Sequence, residues 1–333
     1  MKKHLLLLVF VFSFLNSAFS QTAPVLPDSI KKYVLAALDT MKLKALRKHT
    51  VDWEKVYAKT LTNAQKAKTV RDTYPVLLKT VKSLDAHGNF ASPELAKAYE
   101  GGYRSNGMQV PFATGGMVEG KYAYIKVPDF AVIDKKEKVE YADSLQNLIK
   151  RLDQQNPKGW ILDLRGNWGG MLDPMMAGVA PLLGDGKWLG FEDADKNEVF
   201  WEVRDGQLVE KDSVLMAVSN SYRVKNTKAP ISILTDKNTA SSGEMVAMAF
   251  VGRPHTKLIG TNTAGATTSN EGIKLQDGAF LILTTSVTFD RTGKRYGKHM
   301  EPDVKLTDLT GVNAIDNTAY MQAAVKFLKN PKK

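Results

Sequence analysis

From Tyr122 onward, short apolar runs alternate with longer segments of helical period, and this alternation limits the fold more than any other feature of the chain. Tyr122 to Val127, Gly159 to Leu164, Ile231 to Thr235 and Lys257 to Gly260 read as strands, whereas Lys135 to Leu152, Leu172 to Leu183 and Ser241 to Val251 carry helical spacing. Strands separated by helices need crossover connections, which build an α/β sheet with helices packed on it. Between the two halves, Gly186 to Met216 contains alternating segments that predict an inserted antiparallel β-hairpin. Gly272 to Leu275 and Phe280 to Thr285 are expected to finish the sheet, and Ala314 to Leu328 to form the closing helix.

Ahead of this core the period is helical throughout. Ile30, Val34, Leu38 and Met41 recur at three- and four-residue spacing, Trp53, Val56 and Tyr57 begin a second face, and Pro75 opens a third helix whose stripe includes Leu77, Val81 and Leu84. Residues 21–90 therefore predict an N-terminal helical bundle, 91–120 a glycine-interrupted connecting region with short strands, and 121–333 the core. Residues 1–20 have the form of a secretory signal: Lys2 and Lys3, an apolar run from Leu5 to Leu15, then small Ala18 and Ser20. Export to a periplasmic or extracellular location is the expectation. No later stretch offers the roughly 18 apolar residues of a membrane-spanning helix, so no integral membrane segment is expected after signal removal.

The chain has 333 residues and no cysteine, so its core must hold the fold without disulfides. Neither H-E-x-x-H nor closely spaced histidines occur, which argues against a metal site, and no cofactor is expected. Basic residues exceed acidic ones by 46 to 35. They are spread along the chain without a nucleic-acid motif, and a solvated basic surface is expected rather than a nucleic-acid partner.

Two glycine- or serine-rich turns join a strand to a helix. In ILTDKNTASSGEMVAMAF, Ser241 and Ser242 open the helix, where first-turn N–H groups and the macrodipole can stabilise an oxyanion. The same serines, or Thr239, can simply cap the helix with Glu244 as capping-box partner. In ILDLRGNWGGMLDP, Gly166, Gly169 and Gly170 allow close backbone approach; no phosphate-loop pattern is present, an oxyanion donor is a credible role for Gly169, and Asp163 with Arg165 reads as a structural pair. A serine nucleophile needs a base. Beyond the signal the histidines are His49, His87, His255 and His299; His87, in SLDAHGNF, follows the third helix in a loop of the kind that can reach a cleft, and each of the four can also be a surface residue.

Taken together, DLRGNWGG at Asp163 to Gly170, TASSGEM at Thr239 to Met245 and EPDV at Glu301 to Val304 resemble the C-terminal processing (tail-specific, S41-type) peptidase family of serine proteases. The similarity covers roughly Lys121 to Leu306 and implies a ClpP/crotonase-like core sheet. The family's usual Ser/Lys dyad would place lysine at Ala266. Its absence aligns the chain with members of the tricorn and nisin-resistance type, which use a histidine ahead of the core, and His87 matches that position. The motif register favours Ser241 as nucleophile over Ser242, with the N–H groups of Ser242 and Gly169 as oxyanion hole. Glu301 or Asp85 is the candidate to orient His87. The short stretch between His87 and Tyr122 has no room for the PDZ domain that many members carry.

Together with the predicted signal, the resemblance thus implies an exported serine endopeptidase with peptide or protein substrates, C-terminal segments among them, acting through Ser241, His87 and Glu301. The missing lysine, and Gly88 where many histidine-type members have serine, motivate the alternative: an inactive peptidase fold that binds a peptide or small hydrophobic ligand.

Overall fold

The structure is a computed structural model that describes residues 26–205, 207–307 and 317–331. The predicted signal lies outside the described residues, as do positions 314–316 of the predicted closing helix. Along the chain run α1 (Asp28–Lys44), α2 (Trp53–Ala64), α3 (Tyr74–Leu84), β1 (Asn89–Ala91), α4 (Pro93–Ser105), β2 (Thr114–Val118), β3 (Tyr122–Lys126), α5 (Lys135–Asp153), β4 (Trp160–Asp163) and α6 (Leu172–Leu183). There follow β5 (Gly186–Asp193), β6 (Glu198–Arg204), β7 (Gln207–Glu210), β8 (Ser213–Met216), β9 (Ile231–Thr235), α7 (Ser242–Ala249), β10 (Thr256–Gly260), β11 (Thr268–Lys274), β12 (Phe280–Asp290), β13 (Val304–Lys305) and α8 (Asn317–Lys329).

One sheet has the order β13-β10-β9-β4-β3-β2, parallel except for the antiparallel β2–β3 pair. Its central strands are buried along their whole length, WILD in β4 and ISILT in β9, as parallel strands covered on both faces must be. Helices α5, α6 and α7 cover one face around Ile125, Leu145, Met176 and Val246. Helix α8 covers the other, packing Tyr320 and Leu328 on Ile161 and Ile259.

The second sheet corrects two expectations. Residues 186–216 form not one hairpin but four strands, β5 to β8, and β11 and β12 do not finish the parallel sheet. Instead the long β12 is the spine of an order β1-β12-β5-β6-β7-β8, with β11 also paired to β12. Its outer end pairs with β1 at Phe280 to Ile282, and its inner end pairs with β5 at Ser286 to Asp290. Two of the meander's turns pass through Lys196 and Lys211, both at positive φ; a lysine there gives none of the glycine punctuation by which such turns are read.

The bundle forms as the period predicts. Ile30, Val34, Leu38 and Met41 of α1 meet Leu77 and Val81 of α3, and the cluster closes on Leu281 and Leu283 of β12. Burial of each such side chain contributes about 1.5–3 kcal/mol. Asp52 caps α2 by accepting from the Lys55 N–H at 3.1 Å. The connecting region, expected to hold only short strands, also holds helix α4, started by Ser92 and Pro93. Among the described residues no helix is long and apolar enough to cross a membrane.

Candidate active site

Ser241 sits at the turn from β9 into α7, with φ 51° and ψ −121°. Positive φ is costly for a residue with a Cβ, by about 1–3 kcal/mol, and persists only where the surroundings impose it. Here they do. Thr239 Oγ1 donates to the Leu164 carbonyl at 2.9 Å, and the Ala240 N–H donates to the Asn167 carbonyl at 2.9 Å, so the two strand-to-helix turns are joined. Below Ser241, the Glu244 carboxylate accepts the Ser241 N–H at 3.0 Å. The neighbouring serine is differently placed: Ser242 Oγ is buried and donates to the Gly170 carbonyl at 2.6 Å.

His87 reaches this turn from the loop after α3. Its Nε2 lies 3.0 Å from Ser241 Oγ, and its Nδ1 lies 3.1 Å from Thr268 Oγ1 at the start of β11. Burial pushes the imidazole pKa below its ordinary value, although the nearby Asp85 opposes the shift. Asp85 shapes the loop rather than the ring, since its Oδ1 accepts the His87 backbone N–H at 3.0 Å. Asn270 Nδ2 donates to the His87 carbonyl at 3.0 Å and fixes the loop to β11. A Cβ on Gly88 would stand 3.0 Å from Val81 Cγ2, a contact that a larger residue meets only if Val81 gives by a few tenths of an ångström.

Two expected residues are placed elsewhere. Glu301 does not orient His87: its side chain is 76% exposed and its nearest ionic partner is His299 at 3.7 Å, while both ring nitrogens of His87 have other partners. The EPDV turn serves the sheet instead, with Asp303 accepting the Leu258 N–H at 2.7 Å. The Gly169 N–H is not available as an oxyanion donor, because it is held by Asn167 Oδ1 at 2.9 Å. Gly169 is nevertheless essential to the turn: φ is 97°, and a Cβ would fall 2.8 Å from both Ser241 Cβ and Ser242 N.

The available amide is one residue on. Phe130 takes up the Gly169 carbonyl and the Met171 N–H, so the N–H and C=O of Gly170 point the other way, where the carbonyl meets Ser242 Oγ. Among the described residues neither the Gly170 nor the Ser242 N–H has a protein acceptor. Gly170 has φ 104°, and a Cβ would lie 2.1 Å from the Phe130 carbonyl oxygen. Gly170→Ala is therefore expected to destabilise the fold by about 3 kcal/mol, read as a fall in the denaturation midpoint.

Glu244 is buried, and burial raises its pKa despite the donors around it. It accepts from Thr263 Oγ1, from the Gly265 N–H at 2.9 Å and from the Ala266 N–H at 2.8 Å. The loop that would carry the family's lysine is thus bonded to the helix that presents Ser241. Asp163 and Arg165 form the bidentate structural pair, at 2.9 and 2.7 Å. A cleft of about 500 Å³ opens over Ser241, lined by apolar side chains that include Ile133, Met171, Phe191, Trp201 and Phe280. No group of three or more potential metal ligands occurs among the described residues.

Comparison with known proteins gives a consistent result. The family model for peptidase family S41 matches residues 121–306. The nisin-resistance protein of Lactococcus lactis subsp. lactis is 32% identical over 282 residues, 84% of this chain and 85% of that protein. The carboxy-terminal processing protease CtpA of Bacillus subtilis is 28% identical over 165 residues, 49% of this chain but 32% of its own length. Among solved structures, a lipoprotein from Streptococcus agalactiae superposes with a TM-score of 0.74 at 25% identity, covering 92% of this chain and 98% of its own. The photosystem II D1 C-terminal processing protease shares the fold, with a TM-score of 0.58 at 16% identity over 84% of this chain and 94% of its own.

Proposed function

The chain belongs to peptidase family S41 and is a serine-type peptidase, and from that premise we propose that Ser241 is its nucleophile and His87 its general base. The observation that carries this reading is the 3.0 Å contact between Ser241 Oγ and His87 Nε2. For Nε2 to accept the hydroxyl proton, Nδ1 must carry the other proton and donate it to Thr268 Oγ1. As Oγ attacks the peptide carbonyl, its proton passes to Nε2. The oxyanion forms beside the Ser242 and Gly170 amides. His87 then returns the proton to the leaving amine as the C–N bond breaks, and water, deprotonated by the same imidazole, hydrolyses the acyl ester and restores Ser241.

His87 does the work for which other members use lysine, and this favours catalysis over the ligand-binding alternative. We further propose that the enzyme is exported, as its N-terminal segment suggests, and acts on peptide or protein segments, C-terminal ones included, that enter the apolar cleft extended. Cleavage of an unstructured peptide library by the mature protein tests the reading; a folded wild type that cleaves nothing while binding an apolar ligand in the cleft contradicts it.

Thr268 is a positioning residue in this scheme. Thr268→Val keeps the shape and removes the acceptor of the Nδ1 proton, so kcat is expected to fall about tenfold with KM little changed. Thr268→Ser is expected to restore the rate. Steady-state kinetics on the three proteins checks both.

A further inference from the structure

The charge of the protein is concentrated in one part of it. Residues 26–84, the helical bundle, hold 13 basic against 5 acidic side chains, whereas residues 85–333 hold 31 against 30. The core is close to neutral and the bundle supplies nearly all of the excess. Inside the bundle α1 and α3 lie against β12, and α2 packs on those two helices. Lys55 and Lys59 stand one turn apart on α2, and Lys66 and Lys68 follow it; all four are exposed and make no ion pair among the described residues. Lys42 of α1 lies against α2, its ammonium 6.0 Å from the Tyr57 ring, whose hydroxyl donates to Asp39.

We propose that this outer side of the bundle docks on an anionic phospholipid surface. One observation favours a bilayer over a soluble polyanion. Leu43, which follows Lys42 and precedes the Lys44 that pairs with Glu271 of β11, is 67% exposed, more than any other large apolar side chain among the described residues, and an exposed apolar side chain beside a basic one is what an interface of headgroups and acyl chains accommodates. Each lysine near an anionic leaflet contributes on the order of 1 kcal/mol, so four together give a measurable affinity where one does not.

The test is sedimentation of the mature protein with vesicles of equimolar phosphatidylglycerol and phosphatidylcholine, against vesicles of phosphatidylcholine alone and against heparin. The wild type is expected to bind the anionic vesicles, to ignore the neutral ones and to be released at about 0.5 M salt. The combined Lys55→Gln, Lys59→Gln, Lys66→Gln, Lys68→Gln variant is expected to lose at least about 100-fold in partitioning, while the corresponding Lys→Arg variant keeps it. Both should retain peptidase activity on a soluble peptide, which separates this proposal from the assignment of the active site. Equal binding to neutral vesicles, undiminished binding by the glutamine variant, loss of binding in the arginine variant, or a preference for heparin over the anionic vesicles would each overturn it.

Discussion

Ser241→Ala is expected to lower kcat by about 10⁶-fold, the scale on which removal of a serine nucleophile acts in serine peptidases, without loss of fold. The substitution removes one oxygen atom. Alanine also relieves nothing at the strained φ of 51°, so the thermal midpoint should stay close to that of the wild type. Ser242→Ala separates the two serines. Its Oγ bonds the Gly170 carbonyl at 2.6 Å, so the expected cost is a buried hydrogen bond, about 1 kcal/mol in stability, with a modest fall in rate as Gly170 loses its anchor. Kinetics on purified, folded samples of both variants gives the comparison; equal losses would mean that the register of the TASSGEM segment has been misassigned.

His87→Ala is expected to cost as much as Ser241→Ala, because nucleophile and base act as one unit and the second removal adds little to the first. The double variant should therefore be no slower than either single one. The pH profile of the wild type carries independent information. Burial lowers the His87 pKa, so the neutral imidazole that can accept a proton persists to more acid solution than a free histidine allows. The acid limb of kcat/KM should accordingly have its midpoint below about 6.5, and activity should fall as pH drops through that midpoint. A midpoint well above 7, or a rate that rises towards pH 4, is incompatible with His87 as base.

Much of this architecture can be read from residue order. The central strands β4 and β9 are mostly apolar runs buried along their length, and α6 spans Leu172–Leu183, the predicted limits. What could not be read depends on pairing at a distance. FLILTTSVTFD is legible as a strand, but nothing local says that its Leu281 and Leu283 face the bundle while its far end leaves for β5. For helix α4, Ser92-Pro93-Glu94 is a helix-start signal, but Gly101 and Gly102 interrupt the helical period, and Gly102 is itself non-helical at φ 81°.

The candidate site divides in the same way. The segments bearing Ser241 and His87 carry recognisable motifs, and they lie together across 154 positions of sequence. Thr268 has no motif: it is an ordinary β-branched residue at a strand start, and its contact with Nδ1 depends on β11 passing beneath the His87 loop. The exchange of Gly169 for Gly170 turns on a side chain, because Asn167 occupies the first of the two amides. Glycine spacing alone cannot tell which of two adjacent N–H groups is already bonded. Glu301 stands in EPDV, which resembles the family's turn, yet the residue of that turn with a structural bond is Asp303, which accepts the Leu258 N–H of β10.

Reaction with a serine-directed aryl phosphonate, mapped by mass spectrometry of the digested protein, tests the pairing of Ser241 with His87 most directly. A single adduct on Ser241 in the wild type, absent from His87→Ala at the same pH, is the predicted result. An adduct on Ser242, or labelling of Ser241 that is unchanged when His87 is removed, would contradict it.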